Sequence, residues 1–261
     1  MLHKPSGRLG NQLFQMNFLL QIKTEFILDT FYKGFDQLHF LEVKNRIKFP
    51  NSIYFRKPRS WTSQQISNIG WLEFVDQIVN QNSVNVINPG ILGEWFFESC
   101  VFDPNDFFKI SPKIGSNPES KNIAIHFRGG DFVNWDKQAI LPFQYYVDSI
   151  DLVKSLWPSN KLNFNIYSDE PKHPTLSRLS QHLGITVSDK NDPVNDFLSI
   201  SQSDCLISSP STFSIWSGML GKKKVVIHSK LWFDSRIEMK QKFWIELDKG
   251  GNKYLTIDYK I

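Results

Sequence analysis

Three polar side chains, His126, Arg128 and Asp131, stand where a short apolar run, residues 123–125, meets Gly129 and Gly130. Such a run reads as a buried strand and the glycine pair as a sharp turn. The three side chains then fall at the carboxyl end of a strand, the edge of an open α/β sheet where ligands bind. A guanidinium there forks onto phosphate oxygens through two parallel charge-assisted hydrogen bonds, a geometry lysine cannot match. Taken alone, the segment reads equally well as a plain turn with a solvated Arg–Asp pair.

Further polar groups fall at equivalent places, just past strands or at the starts of the following helices: Asp169 with Glu170, Asp196, and residues 209–213. A helix opening at Ser211, Thr212 and Phe213 offers free N–H groups and hydroxyls to a phosphate. A carboxylate such as Asp196 accepts two hydrogen bonds from guanine, at N1–H and the 2-amino group, and adenine offers no such pair. Each group also has an ordinary reading as a turn carboxylate, a helix-face charge or an N-cap. Gathered on one sheet edge, they fit a nucleoside diphosphate.

Nearer the amino terminus, Ser6-Gly-Arg-Leu-Gly-Asn-Gln-Leu-Phe-Gln15 places Gly10 and Asn11 in a loop entering an amphipathic segment, where backbone N–H groups can meet an anion. The pattern is neither a Walker loop nor a dinucleotide fingerprint. The aromatic stretch 93–98 carries Glu94 and Glu98. Core packing accounts for its aromatics, and the wall of an acceptor site is the sharper alternative.

The elements that must position these groups alternate regularly from residue 122 onward. The strand ending at His126 is followed by a helix over 143–156, a strand over 162–167 and a helix over 175–182 stopped by Gly184. A strand over 185–187 follows, then a helix opened by Asp192 and Pro193 and running to 201. A strand over 205–207, a helix over 212–220 ended by Gly221, and a strand over 225–227 complete the series. That order implies a parallel sheet with helices on its faces, a Rossmann-type domain. Residues 111–121 have loop composition and mark an inter-domain linker. The expected organisation is α/β, with an amino-terminal domain over 1–115, a nucleotide-binding domain over 122–245, and a tail over 246–261. In the first half, residues 26–28 read as strand and 67–79 as helix. The five residues before the opening glycine look too few for a robust first strand.

Bulk properties remove several function classes. A chain of 261 residues, 41% hydrophobic, is globular and long enough for one large or two small domains. A net charge of +4 with a pI near 8.9 is mild rather than nucleic-acid-like, and suits a phosphate-bearing substrate or an anionic bilayer alike. Lys222, Lys223 and Lys224 form the longest basic run, which reads as a solvated loop. No apolar run approaches the ~20 residues of a membrane span, so a soluble protein, or one held at a membrane surface, is expected. Cys205 lies in an apolar segment and reads as a buried thiol, favouring a reducing compartment. The six histidines show no metal-ligand spacing and no Asp-x-Asp occurs, so a metal-free site is expected.

The ordered motifs resemble those of the α-1,2-fucosyltransferases, glycosyltransferase family 11, within a wider superfamily that includes α-1,6- and protein O-fucosyltransferases. Gly7-Arg-Leu-Gly-Asn-Gln-Leu-Phe-Gln15 resembles the family's amino-terminal signature, and His126-Phe-Arg-Gly-Gly-Asp131 its His-x-Arg-Arg-x-Asp donor motif. Ile140-Leu-Pro-Phe-Gln-Tyr-Tyr146 looks like the segment that follows. Tyr167-Ser-Asp-Glu170 and residues 208–216 resemble its later elements. The resemblance implies a GT-B arrangement of two Rossmann-type domains facing a central cleft, and metal-independent, inverting transfer from GDP-fucose, with no separate cofactor. It implies that Arg128, aided by Thr212, holds the β-phosphate, that His126 and Asp196 contact guanine, and that Asp131 braces the arginine loop. Glu94, Glu98 and Asp131 are the candidate bases. The acceptor would be a galactoside or similar sugar of a bacterial surface polysaccharide, placing the protein in the cytoplasm or peripheral to the inner membrane. Gly129 stands where the family motif has its second arginine. Two other readings therefore stay open, a transferase for another GDP-sugar and a non-catalytic nucleotide-sugar or glycan-binding protein.

Overall fold

The structure, a computed structural model, describes residues 8–13, 118–130, 140–185, 187, 192–221, 224–229 and 251–257. It also describes strand and helix residues scattered between residues 2 and 109. The chain divides into two compact units, Met1–Lys109 and Ile110–Ile261.

The first unit contains β1 (Leu2–His3), β2 (Ile27–Leu28), β3 (His39–Phe40), β4 (Arg59–Trp61), β5 (Asn85–Ile87) and β6 (Phe108–Lys109). A parallel sheet runs in the order β2-β1-β5-β4, and β3 pairs antiparallel with β6. The expectation that too few residues precede the glycine loop for a strand is corrected here. Leu2 and His3 pair with β2 on one side and β5 on the other, and neighbours on both sides let two residues suffice. Residues 9–13 are helical and bury Leu9 and Leu13, which the helical period puts on one face.

The second unit is built from β7 (Ser120–Phe127), α1 (Phe143–Leu156), β8 (Lys161–Ser168), α2 (Pro174–Leu183), α3 (Pro193–Ser201), β9 (Cys205–Ile207), α4 (Thr212–Met219), β10 (Val225–Ser229) and β11 (Lys253–Ile257). Its sheet is parallel throughout, in the order β11-β10-β9-β7-β8. Alternation along the strands sorts the core into two layers. Ile123, Ile125 and Phe127 of β7 join Cys205, Ile207 and Ile227 under α1 and α2. Ala124, Leu206 and Val226 face the other way, with Ile200 of α3 and Phe213 of α4. The even-numbered side of β7 therefore belongs to α3 and α4, which fixes where His126 points.

Local signals explain the helix ends. Asp192 caps α3 by accepting from Val194 N (3.0 Å) and Asn195 N (3.2 Å), with Pro193 in the first turn. Gly184 ends α2 in the left-handed region at φ 66°. Of the strand expected over 185–187, the described residues 185 and 187 are not in the sheet. Ile185 N donates to Ser180 O at 3.1 Å and Ile185 O accepts from the Ser180 hydroxyl, so this backbone closes the helix instead of joining the sheet. Ile185 and Val187 pack against the core under α1 and α2. Within the span set apart as a tail, residues 253–257 form the edge strand β11, paired with β10 over five residues.

Lys224 also departs from the sequence reading, which gave it to a solvated loop. It is 2% exposed, and its ammonium donates to the carbonyls of Ile200 (3.3 Å), Ser201 (2.7 Å), Ser217 (2.9 Å) and Leu220 (3.4 Å). Those carbonyls lie at the carboxyl ends of α3 and α4, where a helix leaves acceptors unsatisfied and a cation is favoured.

Candidate active site

β7 sits between β8, which follows it in sequence, and β9, which comes later. The chain therefore reverses its direction of winding between β7 and β9, and the crevice outside their carboxyl ends is where such sheets bind ligands. His126 and Arg128 close β7 at that point, and residues 208–211 leave β9 there toward α4.

His126 stitches the two sides together. Its Nδ1 lies 2.5 Å from Ser214 Oγ and 2.8 Å from Ser209 Oγ, and its ring stacks on Phe213 at a centroid distance of 5.0 Å. Ser211 caps α4 by accepting from Ser214 N at 3.1 Å. Burial pushes the imidazole down to about 3, so it is neutral at physiological pH. The ring is 4% exposed, and its polar partners here are protein hydroxyls. Its visible task is to fix the start of α4 against the end of β7.

Arg128 turns toward β8. Its Nη1 pairs with Asp169 Oδ2 at 2.8 Å, with 12% and 14% of the two side chains exposed, and Asp169 Oδ1 accepts from Gly129 N at 3.1 Å. One carboxylate thus holds both the guanidinium and the backbone of the turn. The glycines follow from this closeness. A Cβ on residue 130 would sit 2.5 Å from Asp169 Oδ2, and one on residue 129 would sit 2.7 Å from Phe127 Cε1. A side chain at 129 therefore requires Phe127 to move.

Asp196 lies in the first turn of α3, half-buried, and its carboxyl is pushed up to about 6 by burial and by Asp192. Tyr167, at the end of β8, is its neighbour. Burial raises the phenol, a hydrogen bond with Ser199 opposes that, and the Asp196 charge adds to it. Phe213 of α4 packs edge-on against Phe197 of α3 at 5.4 Å. His126, Arg128, Asp169, Asp196, Ser211, Thr212 and Phe213 therefore all stand on elements meeting the carboxyl edge of one sheet. Gly10 and Asn11 lie on helical residues 9–13 of the first unit, the glycine buried and the asparagine half-buried. Glu94, Glu98 and Asp131 lie outside the described residues. Among those described, no cluster of three His, Cys, Asp or Glu gathers as a cation site.

A family model described as Glycosyl transferase family 11 matches residues 106–247, just over half of the chain. The chain belongs to glycosyl transferase family 11. No curated protein and no solved structure matches it. As a family 11 member it is a glycosyltransferase of the fucosyltransferase kind, acting on a sugar donor and an acceptor. The matched span runs from just before β6 past β10 and takes in every site residue named above in the second unit; Gly10, Asn11, Glu94 and Glu98 fall outside it. Among the described residues, no helix of this family 11 chain is long and apolar enough to cross a membrane.

Sequence reasoning missed two neighbours of the site. Tyr167 entered only as part of a motif, and nothing in the sequence tied its hydroxyl to Asp196. His173 was passed over altogether, although a polar residue directly before Pro174 is a helix-start signal.

Proposed function

We propose that the protein transfers fucose from GDP-fucose to a hydroxyl of an acceptor glycan, with inversion and without a metal ion, forming an α-1,2 linkage. In this reading the two units are the halves of a GT-B enzyme. The second holds the nucleotide, and Gly10 and Asn11 of the first contribute to the donor site.

As the bond from the anomeric carbon to the β-phosphate oxygen breaks, its electron pair leaves with GDP, and charge grows on the diphosphate. Arg128 and the N–H groups and hydroxyls at the start of α4, from Ser211 to Phe213, meet that charge. Fixed by Asp169 and by His126 in advance, they need no reorganisation when the reaction occurs. The acceptor oxygen bonds to the anomeric carbon from the opposite face and gives its proton to a carboxylate, for which Glu94, Glu98 and Asp131 are the candidates. Asp196 accepts from guanine N1–H and the 2-amino group.

The observation that carries this reading is the turn of Arg128 braced at the same switch point where His126 clamps the start of α4. Calorimetry with GDP, UDP and ADP tests it. The wild type is expected to prefer GDP, and Asp196→Ala to lose that preference. Equal affinity for the three nucleotides, or an unchanged preference in the variant, removes the reading of the base.

A further inference from the structure

The loop between β8 and α2, residues 169–173, lies against the Arg128–Gly130 turn. Asp169 holds the turn through Arg128 and Gly129, and Glu170 N is fixed by Ser168 Oγ at 2.9 Å. His173 N donates to Glu170 O at 3.1 Å, so the histidine is carried on the same framework. Its ring is then locked from two sides. Nδ1 accepts from Thr175 N at 3.2 Å as the cap of α2, and Phe127 packs on the ring at a centroid distance of 4.7 Å. Because Nδ1 accepts a backbone hydrogen, the neutral ring carries its proton on Nε2. Cδ2, the ring carbon bonded to Nε2, comes 3.6 Å from the point where a Cβ on residue 129 would lie. The side chain keeps partial exposure. Burial lowers the imidazole, and the charge of Glu170 opposes this by raising it.

A guanidinium already paired with Asp169 offers a diphosphate only part of its charge, and residue 129 brings no side chain to help. The geometry points to His173 as a second donor to the nucleotide diphosphate, presenting Nε2–H beside the close-packed Gly129 turn that follows Arg128. This assignment rests on the diphosphate reading of the same site. It gives His173 two separable tasks, one for each ring nitrogen. Nδ1 caps a helix, and Nε2–H meets the ligand.

Two substitutions divide those tasks. The amide of asparagine reproduces the position of Nδ1 and is a good cap, but has nothing where Nε2 stands. Glutamine reaches the position of Nε2 with an N–H donor and forfeits the cap. Calorimetric titration of each full-length variant with GDP, alongside thermal melts, reads both. His173→Asn is expected to melt like the wild type and to bind GDP roughly tenfold or more weakly, the scale of a hydrogen bond to a charged group. His173→Gln is expected to melt lower and to bind GDP within a few-fold of wild type. Wild-type affinity in His173→Asn, or the loss of affinity following the melting temperature instead of the nitrogen, overturns the assignment. A wild type that fails to bind GDP overturns the diphosphate reading and this inference together, whereas a wild type that binds beside an unaffected His173→Asn overturns this inference alone.

Discussion

The two edges of the second unit's sheet differ in how fully the fold answers their charges. Both hold a paired cation, but Asp204 at one is bonded by the backbone, while Asp196 at the other is kept at a cost. At the amino edge, Asp204 accepts Asn122 N at 2.7 Å while its own backbone bonds Asn122 O and Val225 N, tying β7, β9 and β10 at their starts. Next to it, Lys224 is enclosed by the carbonyls at the ends of two helices. At the carboxyl edge, Arg128 stands on a turn too tight for side chains at its glycines, and the Asp196 carboxyl is pushed up to about 6. Two aspartates eight residues apart, on either side of the end of α3, thus differ in kind. One has its charge answered by the fold, and the other carries a charge that folding makes costly. Charges completed from within hold a fold together. A charge kept at a cost is what a ligand site requires.

The comparison breaks most decisively at Arg128. On the proposed transfer from GDP-fucose, Arg128→Ala is expected to lower turnover about 10²–10³-fold, equivalent to about 3–4 kcal/mol of transition-state stabilisation. The fold is retained at lower stability, because Asp169 loses its partner. Initial rates and a thermal melt of the same preparation check it. Near-normal turnover would place the negative charge of the leaving group elsewhere.

At the opposite edge the same loss of a cation should act on stability alone. Lys224→Met leaves the carbonyls of two helix ends without their donor, at a cost of about 2–4 kcal/mol in denaturant unfolding. The Michaelis constant and turnover per folded molecule should stay put. A variant that keeps its stability but loses activity would reverse the assignment of the two edges.

A smaller effect is expected where the edges meet in function and structure at once. Ser211→Ala removes the cap bond to Ser214 N and should cost about 1 kcal/mol of stability. It also frees the start of α4, so GDP affinity should fall with it. Calorimetry that shows full affinity in a destabilised variant would separate the cap from the site.

How far these edges were legible follows from how local each signal is. Asp192-Pro193, Ser211 and Gly184 announce their helix ends within a few residues, and all hold. The glycines at 129 and 130 announce a turn, but the carboxylate they approach is some 40 residues away in Asp169, and spacing along the chain does not give that distance. Lys224 reads as solvent-facing because its run is basic; only the convergence of α3 and α4 turns it inward. Residues 185–187 have the composition of a strand, yet Ser180 claims the backbone of Ile185 first. The site was legible as a list of residue types at strand ends. Its bracing, by Asp169, His126 and His173, appears only once the sheet order is known.

The finest discrimination between the edges lies in the pH dependence of Asp196. Its folded-state value of about 6 is above the ordinary carboxyl range, so the folded protein holds this proton more tightly than the unfolded chain does. The contribution of the group to stability is therefore fully present at pH values below the ordinary carboxyl value and is lost as pH rises toward 6. At neutral pH the ionised carboxylate is a net cost to the empty protein. Asp196→Asn should accordingly melt at or slightly above the wild-type temperature at pH 7 and lose that advantage near pH 4. GDP binding should run the other way, strong above pH 6 and weakening as the carboxyl protonates below it, while the Asn variant binds weakly at every pH. Melting curves and GDP titrations at pH 4.5, 6 and 7.5 test both halves. If the Asn variant is destabilised at pH 7, Asp196 is answered by the fold as Asp204 is, and the contrast between the two edges fails at the residue that defines it.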